Sequence, residues 1–223
     1  MLSTWRKSTR QSTFILLRIF IPSSIGVFGK DSDKNHPGNS VALSPTTIYG
    51  VAKHFMENIG NYYYYKHNID FRSIRYPGTI SPYEIDYQGS TDYSSEIFFA
   101  ALRGKEYRIP LAPHRTLPFV YLDDIVEGTL QLMEVDNELL TTRVYNVQAL
   151  TFSCQELVSE LKSHIPDFRF SYEPDFRDEI VEYWPESLDD SLARNDWKWN
   201  PKHIHLKEIV ETMISIIKLY KLN

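Results

Sequence analysis

Two hydroxyls, a phenol and an ammonium are the groups in this chain that could do chemistry together. Ser23 and Ser24 follow the run Leu16-Leu17-Arg18-Ile19-Phe20-Ile21 and its break at Pro22. Tyr49 and Lys53 follow a polar loop whose turn signal is Pro37-Gly38. From Ile48 onward the apolar positions Ile48, Val51, Ala52, Phe55 and Ile59 keep helical spacing, so Tyr49 and Lys53 share one helix face, one turn apart. Such a set suits the movement of a proton and a hydride. A phenol with a pKa near ~10 is a poor base at neutral pH. An adjacent ammonium favours the phenolate, and a neighbouring serine can hold the substrate oxygen while the tyrosine takes its proton. Alone, Tyr-x-x-x-Lys is a common helical pair with a snorkelling lysine. Pro22-Ser23-Ser24-Ile25-Gly26-Val27-Phe28-Gly29 at this distance gives it the functional reading.

The elements that must position these groups can be read in outline. The run before Pro22 suits a buried strand, and Phe71-Arg72-Ser73-Ile74-Arg75-Tyr76 the next one, ending in a turn at Pro77-Gly78-Thr79-Ile80. Parallel sheets bind ligands at such carboxyl ends. A helix is expected over residues 94–102 and strands over 107–109, 117–122, 144–147 and 168–170. Asp123 and Asp124 suit a helix start. Ser153-Cys154-Gln155-Glu156 is a capping-box pattern, and a packing helix is expected over 206–220. Tyr62-Tyr63-Tyr64-Tyr65 reads as packing at a helix end, since few basic residues surround it.

Composition narrows the function classes. With 223 residues, a net charge of -5 and no cluster of basic residues, the chain does not read as a nucleic-acid binder. No apolar run approaches the ~18 residues of a membrane span. The single cysteine, Cys154, excludes an internal disulfide and a cysteine-rich metal site and suits a buried structural thiol. Residues 1–15 contain Arg and hydroxyl side chains but no acid, which fits either a mitochondrial transit peptide or an unstructured N-terminus.

The serine pair with Tyr-x-x-x-Lys resembles the extended branch of the short-chain dehydrogenase/reductase superfamily, the NAD-dependent epimerase/dehydratase-like enzymes. Ile74-Arg75-Tyr76-Pro77-Gly78, Ser90-Thr91-Asp92-Tyr93, Leu117-Pro118-Phe119-Val120-Tyr121-Leu122-Asp123-Asp124 and the stretch from Trp184-Pro185 to Asp196-Trp197 are similar to short-chain L-threonine 3-dehydrogenases. The resemblance implies oxidation of the L-threonine β-hydroxyl by NAD+ to 2-amino-3-oxobutyrate. It implies Tyr49 as general base, Ser24 as holder of the hydroxyl, and Lys53 as tuner of Tyr49 and ligand of the nicotinamide ribose. Pro77 and Thr79 would border the nicotinamide ring, and Ser23 and Thr91 the amino-acid end of the substrate. It further implies a homodimer in threonine catabolism, with neither membrane nor nucleic acid as partner and no metal.

Three departures accompany the resemblance. Only Gly89 remains of a loop that is glycine-rich in the family, which bears on how that loop moves. Arg115 stands one place before the expected arginine position, so strand alternation would point it away. The nine glycines provide no Gly-x-x-Gly-x-x-Gly turn after a strand, the usual pyrophosphate cradle.

The expected fold is therefore α/β: an incomplete Rossmann-like parallel sheet, later strands only, with a smaller C-terminal α/β substrate domain. Residues 16–81 would be the catalytic half of an NAD-binding domain. Residues 82–223 would bind substrate and return elements to the sheet near 117–150. The expected function is a threonine dehydrogenase-like oxidoreductase without the adenosine half. The alternatives are a non-catalytic remnant pairing with a full-length subunit, or a nucleotide-sugar epimerase/dehydratase relative with a longer groove.

Overall fold

The computed structural model describes residues 17–84 and 89–221. The expectation of a transit-like N-terminus falls outside these residues. The order of elements is β1 (Arg18–Phe20), β2 (Ser23–Ser24), α1 (Ile48–His67), β3 (Asp70–Tyr76), β4 (Gly78–Ile80), α2 (Tyr93–Leu102), β5 (Tyr107–Ile109) and β6 (Thr116–Tyr121). There follow α3 (Leu122–Glu134), β7 (Val144–Asn146), β8 (Leu150–Ser153), α4 (Cys154–His164), β9 (Phe170–Tyr172), α5 (Phe176–Val181), α6 (Ser191–Trp197) and α7 (Leu206–Lys221).

The architecture is α/β with mainly parallel pairing. β3 is central to the first sheet, with β7 along it and β1 and β2 pairing with it too, all parallel. Arg18 pairs with Asp70 and Ser23 with Arg75, so β1 and β2 keep one register and form a single strand interrupted at Pro22. At the interruption Ile21 O accepts from Ser73 Oγ at 2.6 Å and Pro22 O from Lys53 Nζ at 2.7 Å. Pro77, which has no N–H to donate, ends β3, and the chain passes into β4 of a second sheet. The expected turn at residues 77–80 is thus largely a strand. β4 runs parallel to β6 and β8 antiparallel, while β5 and β9 form a third, two-stranded parallel pair.

Helix α1 departs most from its sequence pattern. Ile48, Val51, Phe55 and Met56 are exposed, and the buried positions are Gly50, Glu57 and Gly60. The helix lies close to the sheet because Gly60 has no side chain: a Cβ there would fall 2.2 Å from the Phe71 ring. Thr47 caps its start and Asn68, with φ of 53°, ends it.

One core packs β4, β6 and β8 against α2, α4 and α7 through Phe98, Phe119, Phe152, Leu161 and Met213. A second packs β3 and β7 against α3 and α6 through Ile74, Leu132, Tyr145 and Trp197. Both arms of the expected capping box are formed at Ser153 and Glu156. Cys154 is buried, its thiol pushed up to about 11 chiefly by that burial. The strand expected at 168–170 lies two residues later. Asp123 and Asp124 lie in the first turn of α3, as expected, where Asp124 accepts from the backbone N–H of His203 at 2.9 Å.

Arg18 does not face out from the open edge of β1. With Arg72 it grips buried Asp70, at 2.6 Å from Arg18 and 2.9 Å from Arg72, and both arginines donate to the last carbonyls of α3, Met133 and Leu132. Positive charge there complements the helix dipole. Burial raises the Asp70 carboxyl, but Arg72 and Arg18 outweigh it, so its pKa lies below the usual value. A carboxylate depressed in the folded state stabilises above its unfolded pKa of ~4, and loses that contribution as pH falls through the folded value. Urea midpoints should therefore decline below about pH 4, and decline less steeply in Asp70→Asn, which lacks this contribution. An equal acid slope in the two proteins would contradict this role for Asp70.

Candidate functional site

The break at Pro22 and the start of α1 bring the chemically capable side chains together. Ser24 Oγ accepts from Gly26 N at 3.1 Å, closing a short 3₁₀ turn over Ile25–Val27. Its own hydroxyl proton therefore remains available for a ligand. Gly26 O lies against the first turn of α1, where a Cβ on Gly50 would stand only 2.0 Å from it. That close approach seats the Tyr49 ring against Gly26, whose missing Cβ would meet both the ring and Ser24 Oγ, with Tyr49 half exposed. The Lys53 ammonium sits 5.5 Å from the centre of the Tyr49 ring. Partial burial lowers its pKa from the ordinary lysine value.

A third member of the same helix ladder was not anticipated. Glu57, one turn beyond Lys53, is buried and receives the Ser23 hydroxyl at 2.5 Å. Arg75 of β3 grips both its carboxylate oxygens, at 2.9 and 2.8 Å, and also donates to Asn146 and to the backbone of Asn39. Ser23 thus spends its proton inside the structure and can offer a ligand only lone pairs. The spacing 49, 53, 57 is visible in the sequence, but the partner on β3 is not.

Ser23, Ser24, Tyr49, Lys53, Pro77, Thr79 and Thr91 all border one cavity of about 1630 Å³. Thr91 lies over Gly78, beside the Pro77 step. Phe176 and Ile180 of α5 and Trp184 line the same cavity. Arg115 is elsewhere: it forms a two-point pair with Asp178 at 2.9 Å, in line with the one-residue shift. The residues present suit the nicotinamide end of a dinucleotide, with a cation, a phenol and the Pro77 step lining one cavity. They include no glycine-rich turn for its pyrophosphate. Among the described residues no cluster of three potential metal ligands occurs, and no helix is long and apolar enough to cross a membrane.

Residues 2–147 match the NAD dependent epimerase/dehydratase family. The mitochondrial L-threonine 3-dehydrogenase of Sus scrofa is 43% identical over 201 residues, which cover 89% of this chain and 53% of that protein. The crystal structure of L-threonine dehydrogenase from Phytophthora infestans superposes with a TM-score of 0.87 at 40% identity, over 91% of this chain and 66% of that one. The GalE-like L-threonine dehydrogenase from Cupriavidus necator, in its apo form, gives 0.86 at 37% identity, over 89% and 72%. The chain spans about half the length of the curated mammalian relatives it matches.

Proposed function

The chain belongs to the NAD dependent epimerase/dehydratase family, and from that premise we propose that its site oxidises the β-hydroxyl of L-threonine to give 2-amino-3-oxobutyrate. The observation that carries this reading is the meeting of Ser24, Tyr49 and Lys53 at one cavity. There the Ser24 hydroxyl keeps its proton for a ligand and the Tyr49 phenol stands open beside it. Ser24 donates to the substrate oxygen. Tyr49 takes the hydroxyl proton as the carbon–oxygen double bond forms, and Lys53 places positive charge beside the ring that becomes anionic. NAD+ bound along Lys53, Pro77 and Thr79 supplies the hydride acceptor. Thr91 and Ser23 border the amino-acid end, where Ser23 acts as an acceptor for the substrate's ammonium. The similarity to threonine dehydrogenases at around two-fifths identity supports this substrate.

The size of the cavity favours a second reading, a longer nucleotide-sugar substrate. The outward apolar face of α1 supports pairing with a second copy or with a longer subunit. The pig relative is named mitochondrial, which supports the same compartment here.

Two proteins test the proposal: the 223-residue chain alone, and the chain joined upstream to the glycine-rich nucleotide-binding segment of a longer relative. The joined protein should form NADH from L-threonine and NAD+, while the chain alone should bind NAD+ only weakly in calorimetric titration. Low-micromolar binding by the chain alone would refute the second expectation. Turnover of nucleotide sugars with none of threonine would refute the first and favour the longer substrate.

A further inference from the structure

Helix α5 contributes Phe176 and Ile180 to the lining of the cavity. It is six residues long; Val181 is buried and Ile180 packs against the core, while Phe176 is 59% exposed. Polar ties at both ends of the helix add to this short apolar contact. At its start Asp178 accepts from Arg115 and from Ala112 N. At its end the tie comes from the loop between the serine pair and α1. The neck of this loop is closed by pairing of Gly29 with Pro45 and by Ser32, which donates to Ala42 O at 2.9 Å. Its tip, residues 34–39, reaches across to the segment after α5. Lys34 Nζ donates to Glu182 O at 2.5 Å and lies 5.4 Å from the centre of the Tyr183 ring. Glu186 N donates to Lys34 O at 3.2 Å, and Asp189 N to Pro37 O at 3.1 Å.

Glu182 follows the last residue of α5 and carries one of the carbonyls that a helix end leaves without a partner. A lysine there satisfies the carbonyl and complements the negative end of the helix. We propose that Lys34 is a positioning residue for the substrate-side wall: it caps α5 and fixes Phe176, Ile180 and Trp184 relative to Ser24 and Tyr49. The same loop thus departs from the serine pair, secures the segment that follows α5 and returns as the helix of Tyr49 and Lys53. The assignment rests on the proposed function only in taking that wall to face the substrate.

Lys34→Met keeps an aliphatic stem over Tyr183 and removes the donor and the charge, whereas Lys34→Arg retains both. The full chain labelled with fluorotryptophan reports on the wall by fluorine NMR, with the Trp184 resonance assigned through Trp184→Phe. In Lys34→Met the Trp184 resonance should shift or broaden while those of Trp197 and Trp199 stay in place. Amides of residues 178–184 should exchange about tenfold faster, as expected when a local tie is lost. Lys34→Arg should restore both. An unmoved Trp184 resonance with unchanged exchange would overturn the assignment. So would equal movement of the Trp184, Trp197 and Trp199 resonances, which would mark a general loss of stability. Adding L-threonine with NAD+ to the protein joined to a glycine-rich nucleotide-binding segment tests the functional reading separately. Silence of the Trp184 resonance there counts against a threonine site and leaves the result for Lys34 standing.

Discussion

Tyr49→Phe is expected to lower threonine oxidation by about 10³-fold or more, with NAD+ affinity nearly unchanged, in the chain joined to a nucleotide-binding segment. A positioned acid–base group contributes roughly 10²–10⁴-fold, and the hydroxyl removed here is the proposed proton acceptor. The substitution leaves the ring against Gly26 and does not disturb Gly50, so the helix should stay in place. A loss in kcat at constant NAD+ affinity would separate chemistry from binding. Turnover within a few-fold of the parent would remove Tyr49 from the mechanism.

Arg75→Met should be the most destabilising single change at the site. Arg75 and Glu57 are both buried, and the carboxylate keeps only the Ser23 hydroxyl once the guanidinium is gone. Breaking a buried pair from one side costs about 3–5 kcal/mol, because a charge is left unpaired away from water. That is a large share of the roughly 5–15 kcal/mol by which domains are stable. Glu57→Leu in the same background should recover part of the loss, since replacing both charges by apolar groups removes the stranded one. Urea unfolding of the two variants checks this. A double variant no more stable than Arg75→Met would mean that the pair is not the source of the cost.

Helix α1 was legible because it rests on local signals: the helical spacing from Ile48 onward, the placing of Tyr49 and Lys53 one turn apart, and the carboxyl end of the strand that follows. What faces what was less legible. Apolar residues at helical spacing on α1 suggested an inward stripe, yet glycines and a paired glutamate face the sheet, and Val51 and Phe55 face outward. Close backbone approach decided the packing there, not hydrophobicity, and periodicity carries no record of it. The strand at Pro77 was read as a turn because proline and glycine dominate the local signal, while its pairing with β6 spans forty residues of chain. Glu57 went unnoticed for a similar reason: its partners sit on two strands, and no single stretch of sequence contains them. Trp184 was legible as a motif but not as a wall, because Lys34 and α5 meet only in three dimensions.

The shared register on either side of Pro22 acts as a reading frame for the site. Successive side chains of a strand point to opposite faces, so a slip of one position between β2 and β3 would shift the roles of the serines. Slipped one way, Ser24 would meet Glu57 and surrender its proton to a buried carboxylate, and Ile25 would stand in the place beside Tyr49. Slipped the other way, Ser23 would stand there and Pro22 would face Glu57. Each slipped frame leaves one of the two places without a hydroxyl. The bond from Lys53 to the carbonyl of Pro22 would not register the slip, since any residue offers a carbonyl there. An insertion or deletion of one residue in β1 is therefore felt through the serine hydroxyls.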